Sequence, residues 1–239
     1  MKDKIKAFSI HLSLSGIVGL LCLFLIYFFW YPSPLIEATG AGKLFLMMLG
    51  IDIILGPILT FIIYQKNKKS LKFDLFIIAC IQICAIGYGM YSMYGGRPVW
   101  IAFTVDRFEL IRANDVIEEN DNYSSPFFKP QYIFVNIKPR TMQEQLDMML
   151  TETISNISPA QQPKYYLPFA QAKFDIQRQS KSLNELKQYN QNLAIKKELE
   201  KNLQATAWLP LKANAVDMVV LINKEKGEVV KIVDLRPWK

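Results

Sequence analysis

A single carboxylate in the middle of an apolar run is the residue of this sequence best placed to do something beyond folding. Asp52 is the only charge among the 21 residues from Leu44 to Tyr64. A carboxylate near the centre of a bilayer costs about 2.5 to 3.5 kcal/mol on insertion scales and is usually retained for a purpose. It stands 12 residues before Tyr64, which at roughly 1.5 Å per residue is about 18 Å along a helix and near the midplane. Two readings stay open: a contact point for another transmembrane helix, or an internally hydrogen-bonded, protonated side chain. Depth nominates Tyr88 as the internal partner, 14 residues beyond Asp74 and so about 21 Å from the same face. Gln82 lies lower and His11 far lower. Gly50, Gly56 and Pro57 share the span with Asp52, and small residues with a proline permit close helix approach and a kink. Gly50, Asp52 and Gly56 therefore outline a helix-packing surface.

Other reactive residues do not assemble into sites. An intramembrane aspartyl protease needs two carboxylates at one depth to share a proton, and Asp74 sits at the span boundary, about 18 Å from the depth of Asp52. Cys80 and Cys84 are one helical turn apart, yet no histidine or second cysteine pair completes a ligand set. The one histidine is His11, and Cys22, Cys80 and Cys84 all fall within apolar runs, so the chain from Arg97 onward has neither His nor Cys. No Ser/His or Cys/His catalytic arrangement can form there. Asp106 and Arg107 could form a site, but neighbours on a strand point to opposite faces, and a solvated turn or strand-end ion pair is the simpler reading. No catalytic, cofactor-binding or metal-binding residues are expected, and the chain reads as non-enzymatic.

The elements that must position these residues are visible in the charge pattern. Leu12–Tyr31 and Leu75–Tyr94 are uncharged over 20 residues each, and runs of about 18 or more can cross a hydrocarbon core of about 30 Å as helices. Three spans, at about 12–31, 44–64 and 75–94, make residues 1–96 a transmembrane region and leave 97–239 as a second domain. Lys2, Lys4 and Lys6 precede the first span, and Lys66, Lys68, Lys69 and Lys72 separate the second from the third. The positive-inside bias puts both segments in the cytoplasm and the C-terminal domain outside. The first uncharged run exceeds the 7 to 15 residues of a usual signal-peptide core, so it reads as an uncleaved anchor. Lys and Arg number 8 before Arg97 and 20 from it onward, Asp and Glu 4 and 17. The exported part is thus nearly balanced, with interspersed signs, and does not read as a nucleic-acid surface.

Val99–Val105, Phe108–Ile111 and Tyr132–Ile137 are β-branched and aromatic and predict strands, the last closed by Pro139, with a polar loop over 114–126. Thr141 and Glu144 form a capping-box pattern that opens a helix over about 142–154. Ser158–Pro168 reads as an irregular connection, and Gln171–Gln204 as one or two surface helices. Trp208–Leu211, Asp217–Asn223 and Val229–Leu235 predict strands, the last two closing a hairpin over Lys224–Gly227. Strands, helices and strands in that order imply an α+β domain with a largely antiparallel sheet.

Three spans, a short Lys-rich loop, and Arg97-Pro98-Val99 leading into Phe103-Thr104-Val105-Asp106-Arg107-Phe108 resemble the type IV pilin accessory proteins, the TfpX/TfpZ group also described as FimB-like. Tyr166-Leu167-Pro168, Leu209-Pro210-Leu211 and the closing Asp234-Leu235-Arg236-Pro237-Trp238 support the likeness, which covers essentially the whole chain. The resemblance implies a Gram-negative inner-membrane protein, in contact with lipid, that acts on its cognate type IV major pilin as a chaperone or assembly modulator. It implies no catalytic residues, and the pilin is to be met through its transmembrane helix, its periplasmic head or both. Expected contact residues are Gly50, Asp52 and Gly56 in the membrane and Arg97, Asp106, Arg107 and Trp238 in the periplasmic domain. Alternatives are a membrane-anchored periplasmic sensor, for which the cytoplasmic segments leave little effector surface, and a pilin glycan-modifying enzyme, which lacks a catalytic set.

Overall fold

Where a chain cannot hydrogen-bond to solvent its backbone must pair with itself, and an unbroken apolar run does so most simply as a helix. The computed structural model describes residues 1–117, 123–137, 141–143, 146, 150, 154 and 157–238, and three such helices open it. Helix α1, Lys2–Leu25, runs on through a π-helical turn, Ile26–Trp30. A short α2, Leu35–Thr39, leads into α3, Ala41–Ile63, and α4 spans Leu71–Gly95. The three long helices, of 29, 23 and 25 residues with the turn included, are long and apolar enough to cross a membrane. Lys66 in the α3–α4 connection pairs with Asp3 at 3.3 Å, so the N-terminus and that connection share one end of the bundle.

The sheet lies beyond the other end. Its strands are β1, Pro98–Phe103; β2, Phe108–Arg112; β3, Gln131–Val135; β4, Tyr166–Pro168; β5, Lys181–Ser182; β6, Ala207–Lys212; β7, Met218–Asn223; and β8, Glu228–Val233. They run in the order β4-β3-β1-β2-β6-β7-β8, with β5 paired to β6. Helices α5, Lys173–Gln179, and α6, Asn192–Lys201, occupy the expected helical stretch, separated by β5 and a 3-10 segment, Leu183–Gln188. The helix expected over 142–154, with Glu144, falls largely outside the described residues, as do Pro139 and part of the 114–126 loop. Gly227 has φ +64° in the β7–β8 turn, the conformation for which glycine is suited.

The sheet is mixed rather than largely antiparallel. The three hairpins, β1–β2, β6–β7 and β7–β8, are antiparallel, as a short connection requires. The joins made through long connections are not so constrained: β3 lies parallel to β1, and β6 parallel to β2. The antiparallel expectation rested on local hairpins and carried no information about these non-local pairings.

Alternation along the strands splits the buried side chains between two faces, so most strands are covered on both sides. Ile101, Phe103, Leu209, Val220 and Ile222 enter one cluster; Trp100 and Ala102 enter a second on the opposite face of β1, and Trp208, Val219 and Leu221 a third beside β6 and β7. The first cluster also contains Leu35 and Ala38 from α2. The α1–α3 connection is therefore part of the sheet's core. Its backbone is bonded in: Ala215 and Val216 N–H donate to the Ala38 carbonyl at 2.9 and 3.2 Å. Gly40 follows at φ +71°, where a Cβ would fall 2.8 Å from that of Ala215.

Candidate functional site

Helix α3 carries the densest set of candidate residues and has two dissimilar faces. Phe45, Leu49, Gly56, Pro57 and Thr60 are buried, and their spacing puts them on one side of the helix, against α1 and α4. Pro57 lacks the N–H that would bond the Ile53 carbonyl, a local weakening tolerated where neighbouring helices enclose it. Leu46, Met47, Ile51, Ile54, Leu55 and Ile58 are exposed on the outward side.

The inward face holds a polar chain that ties all three long helices together. Gln82 Nε2 of α4 donates to the Asp52 carbonyl at 2.8 Å, and Gln82 Oε1 meets His11 Nε2 of α1 at 2.5 Å. His11 Nδ1 meets Thr60 Oγ1 of α3 at 2.6 Å. A backbone carbonyl only accepts, so the amide nitrogen of Gln82 faces Asp52 and its oxygen faces the imidazole. His11 then carries a proton on Nε2 and, when neutral, accepts the Thr60 hydroxyl through Nδ1. A Cβ at Gly56 would lie 2.0 Å from Gln82 Nε2, so Gly56 is the opening through which this amide reaches α3.

Tyr88, expected to partner Asp52, is exposed on the bundle surface, and Gln82 reaches α3 instead, by its backbone carbonyl. Counting residues estimates depth but not azimuth: six residues separate Gln82 from Tyr88, a rotation of about 240°. The Asp52 carboxylate oxygen Oδ2 is buried with no hydrogen-bond partner among the described residues.

Gly50 looks the other way. Among the described residues nothing lies within 4 Å of where its Cβ would be, and it floors an apolar groove of about 400 Å³ walled by Leu46, Met47, Ile54 and Leu55. Gly50, Asp52 and Gly56 are thus on one helix but not on one surface: Gly50 is open, Gly56 is filled, and Asp52 is half-buried between them.

The remaining expected residues lie in three separate places in the sheet region. Arg97 is buried, its guanidinium 3.6 Å from the centre of the Tyr94 ring. It donates to the Tyr94 carbonyl at 2.6 Å and to the Pro126 carbonyl at 3.0 and 3.2 Å. Asp106 and Arg107 form the β1–β2 turn, so the opposite-face rule for strands does not apply and their side chains meet at 2.9 Å. That hydrogen bond holds the Arg107 guanidinium above its ordinary pKa. Trp238 Nε1 donates to Asp217 Oδ2 at 2.8 Å, while Asp217 Oδ1 accepts from Ala213 N–H at 2.8 Å, which pins the chain end to the β6–β7 connection.

A polar cleft of about 280 Å³ opens where the β2–β6 pairing ends after Glu109 and Lys212. Ser158 Oγ within it donates to Glu109 Oε2 at 2.9 Å, and Asp115 is held by Arg112 at 2.8 Å. Both carboxylates are engaged in structural bonds. Among the described residues no group of three or more His, Cys, Asp and Glu side chains could hold a metal ion. Sequence reasoning missed the His11–Gln82–Thr60 chain and the role of α2. Gln82 is the one amide side chain in 75–94, and Leu35-Ile36 are apolar residues in a short connection, so a signal was present for each.

The family model described as fimbrial assembly protein FimB matches residues 1–40, from α1 through α2. The chain is 31% identical over 232 residues to the fimbrial assembly protein, serogroup I, of Dichelobacter nodosus, covering 92% of this chain and 90% of that protein. It is 29% identical over 233 residues to the serogroup E1 protein, with the same coverage. To the protein of serogroups C1 and C2 it is 40% identical over 114 residues, 47% of this chain and 87% of that relative. No solved structure matches the chain significantly.

Proposed function

The chain belongs to the FimB fimbrial assembly family, and on that premise we propose that it is an inner-membrane accessory protein for the type IV major pilin, supporting the pilin's stability and assembly without catalysing a reaction. The N-terminus and the 65–72 connection face the cytoplasm and the sheet domain faces the periplasm. A membrane-embedded client presents an apolar helix, and Gly50 is the observation that carries a helix-binding role. It opens an apolar groove on the outward face of α3, one turn or less from the half-buried Asp52. Small residues of this kind let helix backbones approach closely in lipid, where packing drives association.

Gly50 and its groove form the membrane contact, which Asp52 supports from the inner side of α3, and the exposed Asp106–Arg107 turn is the second, on the pilin head. Gly56, Arg97 and Trp238 act through the packing they hold. Because α2 is built into the sheet core, α3 and the domain present their two surfaces in fixed relation, and two weak contacts so linked raise each other's effective concentration.

The test is an immunoblot of the neighbouring major pilin, in cells and in sheared surface fractions. It compares a deletion strain with strains restored by wild type, Gly50→Leu or Asp52→Asn. Surface pilin is expected to fall on deletion, return with wild type, and stay low with equally abundant Gly50→Leu. Unchanged pilin in the deletion strain would remove the assembly reading and favour a periplasmic sensor.

A further inference from the structure

Phe127 and Phe128 stand side by side in the connection before β3, each with about half its surface exposed (54% and 51%). Contiguous exposed apolar rings mark an interaction surface rather than ordinary loop composition. Their other halves are packed on the long helices. Phe128 lies 5.5 Å, centroid to centroid, from Phe29 in the π-helical turn ending the first span, and Phe127 lies 5.4 Å from Tyr94 at the end of the third. Trp30 stands 5.3 Å from the same Tyr94. Both rings thus sit at the level where two spans leave the apolar layer, the level at which aromatic side chains gather in membrane proteins.

The position is held from inside. The buried Arg97 stacks on Tyr94 and donates twice to the Pro126 carbonyl, clamping the residue before Phe127 to the end of α4. The exposed apolar surface continues along α1 through Phe28 and Phe24, whose rings are 4.9 Å apart. A surface continuous with the outward face of a span meets the same solvent as that span.

We propose that Phe127 and Phe128 form a lipid-binding wedge, seated among the upper acyl chains of the bilayer, which docks the sheet domain onto the membrane beside α1 and α4. The wedge rests on the reading of α1 and α4 as membrane-crossing and does not depend on a pilin partner. It gives the buried Arg97 a positioning role.

The experiment uses the full chain with Cys22, Cys80 and Cys84 replaced by Ala, and single nitroxide labels at Phe127→Cys and Phe128→Cys. Leu20→Cys, on the exposed side of α1, and Lys226→Cys, in the β7–β8 turn, serve as references. Each protein is reconstituted in vesicles of phosphatidylethanolamine and phosphatidylglycerol. Collision with oxygen, which partitions into lipid, is compared with collision with a water-soluble nickel chelate. Positions 127 and 128 are expected to favour oxygen several-fold, as Leu20→Cys does, with the preference reversed at Lys226→Cys. A Lys226-like ratio at both positions with a lipid-like Leu20→Cys would overturn the wedge alone. Suppressed collision with both reagents would overturn it in favour of a protein covering the rings, and an aqueous ratio at Leu20→Cys would overturn the wedge and the spanning reading together.

Discussion

Gly50 and Gly56 stand six residues apart on α3 and face opposite circumstances. A Cβ at Gly50 would meet open space, whereas one at Gly56 would meet the amide of Gln82. Six residues turn a helix through about 600°, so two members of one small-residue stripe end up about 120° apart. The contrast teaches that a glycine in a span is not evidence of one role: the inward one admits a neighbour's polar side chain, and the outward one leaves a groove for something outside the chain. Arg97 and the Asp106–Arg107 turn repeat the contrast in the sheet region, the first enclosed by its own fold and the second displayed.

The largest effect is expected where the inside is filled. Gly56→Leu must displace the Gln82 amide, breaking the His11–Gln82–Asp52 carbonyl chain and overpacking the α3–α4 contact, at about 3 kcal/mol. The protein's abundance and its melting in detergent should both fall. Gly50→Leu should leave both within about 0.5 kcal/mol of wild type; an equal loss from the two substitutions would erase the distinction between the faces.

Next is the phenol of Tyr132, which burial pushes from 10.0 up to about 12. Its folded value is raised, so the stability it contributes is whole below about pH 10 and is lost as pH rises towards about 12. A rise of this size corresponds to at most about 3 kcal/mol. Alkaline unfolding followed by tryptophan fluorescence should be shallower across that window in Tyr132→Phe, and an unchanged slope would place the phenol in water.

A double-mutant cycle of His11→Ala and Gln82→Leu should show coupling of about 0.6 kcal/mol and no more than about 1.7, the average and the maximum measured for hydrogen bonds between membrane helices. Tyr88→Phe paired with Asp52→Asn should show none, since Tyr88 lies on the outer surface. Smallest of all, Asp106→Ala should change stability by less than about 1 kcal/mol, because the pair is largely exposed. A fall in surface pilin at unchanged abundance would make that turn a contact; no fall would leave it a solvated ion pair.

Much of the architecture could be read from local pattern. The uncharged runs became helices because their length and apolarity leave few alternatives, and the β7–β8 hairpin followed from two apolar runs around a Gly-containing turn. The parallel joins β1–β3 and β2–β6 could not be read this way, since the segments they unite are separated by long connections. Site residues were legible by type and not by environment. Asp52, Gly50 and Gly56 stood out in the sequence, but nothing in their spacing told which would be open, and Arg97 and Trp238, expected at a surface, are bonded into the fold.

The amino-acid sequence by itself determined which stretches can cross an apolar layer, the strand-rich character of the chain beyond Arg97, and the presence of a lone carboxylate within an apolar run. These depend on composition and on periodicities of 2 and 3.6 residues, which act within a few residues of chain. Only the tertiary structure decided that α2 belongs to the sheet's core, that Gln82 rather than Tyr88 reaches α3, and that Gly50 faces outward while Gly56 is filled. Each of these depends on azimuth and on contacts between residues tens of positions apart, which are set only when the whole chain has packed.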